Sequence, residues 1–350
     1  WDPHAVYIPK LELDAVNDQL SGSFEGIGVQ FRIEGDTIIV IDPVANGPSA
    51  RKGILPGDRI VKVDGKNVAG IGIKNEDVLK LLKGPKGTKV VLSIFRKGVN
   101  GLRDYTITRD VIPLNSLDAA FMVNRSTGYI KLNSFSATTY DEFVEAMNEL
   151  QPAGMKNLIL DLRDNGGGYL DYAVDIADDF LPEGSTIVYT KGLHRKDKYY
   201  HSRNGGRFEE GEVVILIDEF SASASEILAG AVQDNDRGLV IGRRSFGKGL
   251  VQEQHELRDG SAFRLTVARY YTPSGRCIQR PYEEGYEEYY LDFYKSLLLN
   301  DSAAREYNLK KNDTLVYRTS KGRPVYGGGG IIPDTLVLHD YSMSQSFQTG

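Results

Sequence analysis

The sequence predicts an α/β protein preceded by a smaller, β-rich module. Three observations carry this. Between residues 128 and 242, stretches of strand and helix character alternate. Two of the strands, 157-NLILDL-162 and 213-VVILID-218, are apolar almost throughout, as strands covered on both faces are. Upstream, residues 24–110 hold short alternating apolar runs and one helical stretch.

The first element is an amphipathic stretch, 9-PKLELDAVNDQLSG-22, with Pro9 suited to a helix start and Gly22 to a stop. Next, 24-FEGIGVQFRIEGDTIIVIDPV-44 reads as a hairpin turning at Glu34-Gly35-Asp36. In 53-GILPGDRIVKVDG-65 a Pro-Gly-Asp turn precedes a short strand. A short helix, 75-NEDVLKLLKG-84, takes Asn75 as its N-cap and Gly84 as its stop. Strands 88-TKVVLSIFR-96 and 103-RDYTITRD-110 close a module over 24–112, and Pro113 begins something new. Strand 128-GYIKLNSF-135 leads to helix 139-TYDEFVEAMNEL-150, which opens on the capping pattern Thr139…Glu142. The helix 169-YLDYAVDIADDFL-181, a helix after Ser223 and strand 238-GLVIG-242 continue the alternation. The acidic, Tyr-rich 282-YEEGYEEYYLDFYKSLL-298 breaks the rhythm and reads as the start of a surface insertion over 282–326.

At 350 residues there is room for two or three domains, and a net charge of -6 with scattered basic residues gives no footprint for nucleic acid. No apolar run is long enough to span a bilayer, and no signal peptide is visible. The first residue is Trp1, so a trimmed start is expected. A lone cysteine, Cys277, allows no internal disulfide and no metal cluster.

Three signals could carry chemistry. In 221-SASASEILAGA-231, three serines alternate where a strand turns into a helix. Ser223 with Glu226 fits a capping box, which alone would explain two of these residues. A serine at such a turn also has helix N–H groups at hand for a developing oxyanion. The two readings are compatible. A serine needs a base. His4, His194, His201, His255 and His339 lie in no recognisable motif; Lys248 in 244-RSFGKGLVQ-252 sits between glycines that let the backbone pass close to another element. At its usual pKa of about 10.4, on the order of one lysine in a few thousand is neutral at pH 7, so a lysine base requires burial. The amide oxygen of Gln252 could orient the amine, whereas an exposed lysine in a Gly-rich turn is the plain alternative. Lastly, 161-DLRDNGGG-168 offers bare N–H groups before a helix; it lacks the Lys-Ser/Thr of a phosphate loop and the spaced glycines of a dinucleotide fingerprint.

In this order the chain resembles the carboxyl-terminal processing, or tail-specific, proteases of peptidase family S41. The matching runs are 53-GILPGDRIVKVDG-65, 80-KLLKGPKGT-88, 161-DLRDNGGG-168, 221-SASASEI-227, 244-RSFGKGLVQ-252, 269-RYYTPSGR-276 and 328-GGGIIPD-334. The resemblance implies an N-terminal helical segment at 1–23, an inserted PDZ domain at 24–112, and a protease core of crotonase- and ClpP-like character at 113–342, followed by a tail at 343–350. It implies Ser223 as nucleophile, Lys248 as base 25 residues on and Gln252 as the third residue, with Ser221 and Ser225 structural. Ala224 and Gly167 would supply the oxyanion hole. The loop and strand 25-EGIGV-29, through Gly26, Ile27, Gly28 and Val29, would take a C-terminal tail by strand addition, with Val78, Leu81 and Leu82 as side-chain pocket or as plain core. Family members often carry Arg-Gly where this chain has Lys83-Gly84, which loses bidentate geometry. The implied activity is a serine endopeptidase acting through an acyl-enzyme on unstructured proteins with apolar C-termini. Neither a cofactor nor a metal is implied; adaptors, activators and homo-oligomers are compatible partners, and the expected location is periplasmic or secreted.

Three other readings stay open. A non-catalytic or latent tail-binding scaffold would explain residues 24–112 alone. A crotonase-like enzyme acting on coenzyme A thioesters would need a nucleotide site, for which the sequence shows no pattern. A Ser–His hydrolase would use His255.

Overall fold

The computed structural model describes residues 2–203, 205–298, 301–309 and 314–338. His339 and the expected tail from 343 lie outside them. The chain forms two compact units: one from the residues up to Leu20 and from Asn115 on, the other Ser21–Leu114.

The larger unit is built on a six-stranded sheet ordered Leu117–Met122, Thr127–Leu132, Asn157–Asp161, Val213–Ile217, Leu239–Gly242 and Thr335–Leu336. The first pair is antiparallel and the remaining pairs are parallel. Each parallel step between the central strands needs a crossover, and the helices Thr139–Leu150, Leu170–Asp178 and Ala224–Asp234 lie in these connections. Their apolar side chains Phe143, Met147, Ile176, Leu228 and Val232 are fully buried with Ile130, Leu160 and Ile215 of the sheet. Each such side chain stabilises the fold by roughly 1.5–3 kcal/mol. The helix Ala224–Asp234 is buried along its whole length, so the turn at its start is fixed by everything packed around it.

The expected cap of Thr139–Leu150 shifts by one residue. Thr138 is the N-cap and its hydroxyl donates to Glu142 Oε1 (2.6 Å), while the Thr139 hydroxyl accepts the Ser136 N–H (2.7 Å). Two adjacent threonines make the pattern ambiguous by sequence.

A second, antiparallel sheet was not legible in the sequence. Val6–Ile8, Ala262–Tyr271, Thr186–Gly192 and Arg195–His201 follow one another across it, and Leu250–Glu256 pairs the other edge of Ala262–Tyr271. Its strand 195-RKDKYYH-201 is mostly exposed and carries no apolar alternation, which explains the omission. The Tyr-rich segment is a helix, Tyr286–Leu297, and only partly a surface feature. Tyr289 and Phe293 are buried, packing in T-shaped contacts on Phe246 at 6.1 and 4.9 Å between ring centres.

The smaller unit is built on an antiparallel sheet of Val29–Ile33, Ile38–Pro43, Arg59–Val63, Lys89–Phe95 and Leu102–Thr108, with Lys66–Asn67 on Arg59–Val63. The turn at Glu34–Thr37 closes the expected hairpin through reciprocal backbone bonds of 3.0 and 3.2 Å. The unit is wider than residues 24–112 because Ser23–Gly26 pairs with Asp110–Pro113 and the Leu114 N–H donates to Gly22 O (2.8 Å). Pro113 therefore ends a strand of this unit. The helix Asn75–Leu82 is capped by Lys74, with Asn75 its first helical residue, since the Asp77 carboxylate accepts the Lys74 N–H (3.4 Å). Arg109 closes the other end of that helix by donating to the carbonyls of Leu81 (2.8 Å) and Leu82 (3.1 Å).

Candidate active site

The three serines separate by function at the level of hydrogen bonds. Ser221 Oγ donates to Leu162 O (2.7 Å) and accepts the Asp218 N–H (2.9 Å). Ser225 Oγ donates to Asn165 O (2.8 Å). Both stitch the 218–225 turn to the 162–165 turn and both are fully buried. Ser223 makes no side-chain capping bond. It is the N-cap of Ala224–Asp234 at φ 56°, ψ −112°. The other non-glycine residues at positive φ are Asp or Asn, which tolerate it; a serine held there costs about 1–3 kcal/mol and needs support from its surroundings.

That support comes from two buried side chains. Glu226 has no exposed surface, and its carboxylate collects four donors. Oε2 accepts the N–H groups of Ser223 (2.8 Å) and Lys248 (2.9 Å). Oε1 accepts the Gly247 N–H (2.7 Å) and the Ser245 hydroxyl (2.5 Å). Burial pushes this carboxyl above its usual range, and the four donors pull against that. Tyr270, also buried, aims its hydroxyl at the carbonyls of both Ser223 (3.1 Å) and Lys248. The main chains of residues 223 and 248 are therefore clamped together from two sides. The residue after Lys248 passes close to a different segment: a Cβ on Gly249 would lie 2.9 Å from the Gln279 nitrogen.

Ser223, Lys248 and Gln252 line one cleft of about 770 Å³ in the larger unit, together with Gly166, Gly167 and Gly168. Burial lowers the Lys248 ammonium below its ordinary value, the Arg264 guanidinium adds to this, and Asp2 and Glu226 oppose it. Gln252 donates its amide to His4 O (2.6 Å), which leaves its oxygen as the acceptor. His4 is half-buried against Tyr289, with Nε2 3.0 Å from the hydroxyl; desolvation first, then Lys248, push its pKa down to about 4. His255 sits on the exposed part of Leu250–Glu256, 3.8 Å from Glu253, and does not line the cleft.

Two contacts bear on Gly167. Gly167 lies against the turn at Ser223: a Cβ on it would come within 2.8 Å of Ser223 Cβ and 2.9 Å of the Ala224 nitrogen. Its own N–H, however, is spent on Asn165 Oδ1 (2.9 Å). The next residue has its N–H free. Gly167 O accepts from Phe135 and Tyr169 donates to Phe135 O, so Gly168 turns its N–H to the opposite side. Among the described residues, the N–H groups of Ala224 and Gly168 meet no acceptor.

In the smaller unit, Val78 and Leu82 are buried core, whereas Leu81 is half-buried at its rim. Ile27 is also core. Gly28 adopts φ 69°, and the carbonyls of Glu25, Ile27 and Gly28 are taken by Gly84, Ser49 and Val44. Among the described residues, the N–H groups of Ile27 and Gly28 meet no acceptor, as a carboxylate-binding loop requires. Val29 opens the strand beside it.

Sequence reasoning saw Glu226 only as half of a cap and missed Tyr270, Arg264 and His4. Tyr270 lies inside a quoted motif, 269-RYYTPSGR-276, but nothing in a sequence tells which tyrosine points inward. Among the described residues, no three His, Cys, Asp or Glu side chains group as metal ligands would, and no helix is long and apolar enough to cross a membrane.

Residues 126–285 match peptidase family S41 and residues 26–102 match the PDZ domain. A carboxy-terminal-processing protease of Bartonella bacilliformis is 38% identical over 283 residues, covering 79% of this chain and 64% of the relative. A carboxyl-terminal-processing protease of Synechocystis is 38% identical over 74% of this chain and 61% of its own length. The carboxy-terminal processing protease CtpA of Bacillus subtilis is 34% identical over 80% of this chain and 59% of its own length. The chain thus spans about three fifths of these curated relatives. Among solved structures, a photosystem II D1 C-terminal processing protease is 31% identical, covering 79% of this chain and 75% of that one, with a TM-score of 0.47.

Proposed function

The chain belongs to peptidase family S41 and carries a PDZ domain, and from that premise we propose that it is a serine endopeptidase acting through a Ser223–Lys248 dyad on unstructured protein C-termini. The observation that carries the reading is the buried clamp of Glu226 and Tyr270, which fixes both residues by their main chains at the floor of one cleft.

Neutral Lys248 takes the proton of Ser223 Oγ, and the oxygen attacks the peptide carbonyl carbon. The oxyanion is held by the N–H of Ala224 and that of Gly168; the Gly167 N–H could serve only after leaving Asn165. The C–N bond breaks as the Lys248 ammonium returns its proton to the departing amine. Water, deprotonated by Lys248, then hydrolyses the acyl-enzyme. Gln252 accepts from the amine and keeps it aimed. The smaller unit captures the C-terminus through the N–H groups of Ile27 and Gly28, with Val29 offering the strand edge and Leu81 the rim of the side-chain pocket.

The test is cleavage of an unfolded protein with an apolar C-terminal tail by the parent, Ser223→Ala and Lys248→Ala across pH. The parent should cut and its rate should rise with a midpoint below 10.5, while both variants lose at least about a thousandfold. Full activity in Lys248→Ala, or cleavage that survives in Ser223→Ala, would overturn the dyad. Tight binding of the tail without cleavage by the parent would favour the scaffold reading.

A further inference from the structure

Arg264 is the arginine of the cleft that has no anion among the described residues. Arg264 stands on Ala262–Tyr271 with its side chain lining the cleft, half-buried. Its hydrogen bond goes to a neutral group, Gln254 Oε1 at 2.9 Å, and Gln254 is in turn held by Asn17 (3.0 Å). Among the described residues no carboxylate comes within ion-pairing distance of it, in contrast to its neighbour Arg195, which is paired with Glu253 at 2.5 Å. Burial lowers the Arg264 pKa, so the charge is held at a cost. A guanidinium is usually half-buried with a partner that repays its lost hydration. Lys196 and Lys198 line the same cleft, and Asp171 is its one carboxylate not taken by an arginine. The planar fork of arginine matches a carboxylate bidentately, which neither lysine does.

We propose that Arg264 forms a carboxylate-binding subsite of the cleft, taking either an acidic side chain close to the scissile bond or the free C-terminus of a short substrate. This rests on the Ser223 cleft being where peptide binds. The subsite also touches the chemistry. The charged groups acting on Lys248 are Arg264, Asp2 and Glu226, and Lys248 in turn acts on His4. A carboxylate on Arg264 cancels the repulsion that helps keep Lys248 neutral. Substrates that use the subsite should bind tighter, and their cleavage should need a higher pH.

Binding is measured by fluorescence anisotropy on full-length Ser223→Ala, which separates recognition from catalysis. Three unstructured peptides share one core: one with an internal Glu and an amidated end, one neutral with a free carboxylate, one neutral and amidated. Each is repeated with Arg264→Gln, Arg264→Met and Arg264→Lys in the same background, so the contribution of the PDZ domain cancels. At least one carboxylate peptide should bind about tenfold or more tighter than the neutral one, with the gain lost in Gln and Met and partly kept in Lys. Which peptide gains tells side chain from terminus. In the Ser223 protein, the pH midpoint of cleavage should be higher for that peptide, and this difference should vanish in Arg264→Gln. Equal binding of the three peptides, or a gain that is undiminished in whichever of Gln and Met folds, would overturn the subsite, since any carboxylate gain from the PDZ domain is the same with and without Arg264. Should the parent cut nothing, the protease reading falls while the binding result still decides this one.

Discussion

Glu226→Gln isolates the clamp, because it keeps shape and volume and changes one oxygen to an amino group. Oε1 accepts from Ser245 and Gly247, and Oε2 from Ser223 and Lys248. Whichever oxygen is replaced, two donors lose their acceptor and face an NH₂ instead. Two hydrogen bonds to a charged acceptor, at about 1.5–3 kcal/mol each, give a loss of roughly 3–6 kcal/mol in the larger unit. The loss should come with a fall in kcat, since either exchange frees main-chain N–H groups of the 223 or 247–248 turns that the carboxylate ties down. Urea unfolding followed by near-ultraviolet circular dichroism reads the first, and steady-state cleavage of a peptide the second. A change below about 1 kcal/mol with kcat intact would refute the reasoning. It would mean that burial holds this carboxyl protonated and that the four contacts do not depend on its charge.

Lys248 gives a second prediction through pH. Its folded pKa lies below 10.5, so at neutral pH the folded state carries the cost of a buried ammonium. Above the folded value the native state has lost its proton while the unfolded chain keeps one, and stability rises with pH until about 10.5. Lys248→Met should therefore unfold at higher denaturant than the parent at pH 7, with the difference shrinking in alkaline buffer; parallel curves would show that the lysine is not depressed. Gly167→Ala should cost about a hundredfold or more in kcat/KM, because a Cβ at φ 97° would press within 2.7 Å of Ala222 O beside the nucleophile turn. A loss under about tenfold would show that the close approach of Gly167 to the turn at Ser223 is not needed for activity.

The parallel sheet was readable because its strands are apolar runs such as 213-VVILI-217 and its helices carry a one-sided stripe such as Phe143, Met147 and Leu150. Local pattern is enough for elements of that kind. Ser223, Lys248 and Gln252 came from motif order, and the cleft brings them together. What joins them was hidden, since Tyr270 reaches residues 223 and 248 through tertiary contact with no local signature. The antiparallel sheet escaped for the opposite reason. Strand Arg195–His201 is held by ladder bonds to Thr186–Gly192, and its own side chains point largely to water. Which glycine of 166–168 turns its N–H toward Ser223 was not legible, because three identical glycines carry no local signal of direction.

Glu226 and Tyr270 grip only main-chain atoms of residue 223. The frame is indifferent to the chemistry of that side chain but sensitive to its shape. An alanine there deletes the hydroxyl and leaves every tether in place, so such a protein should retain an uncut substrate in a native cleft. A cysteine would fit equally well, since it branches no earlier than serine. A threonine would not, despite carrying the same hydroxyl, because a β-branched residue at φ 56° is a genuine outlier. The position is thus open to an exchange of oxygen for sulfur and closed to the addition of a single methyl group.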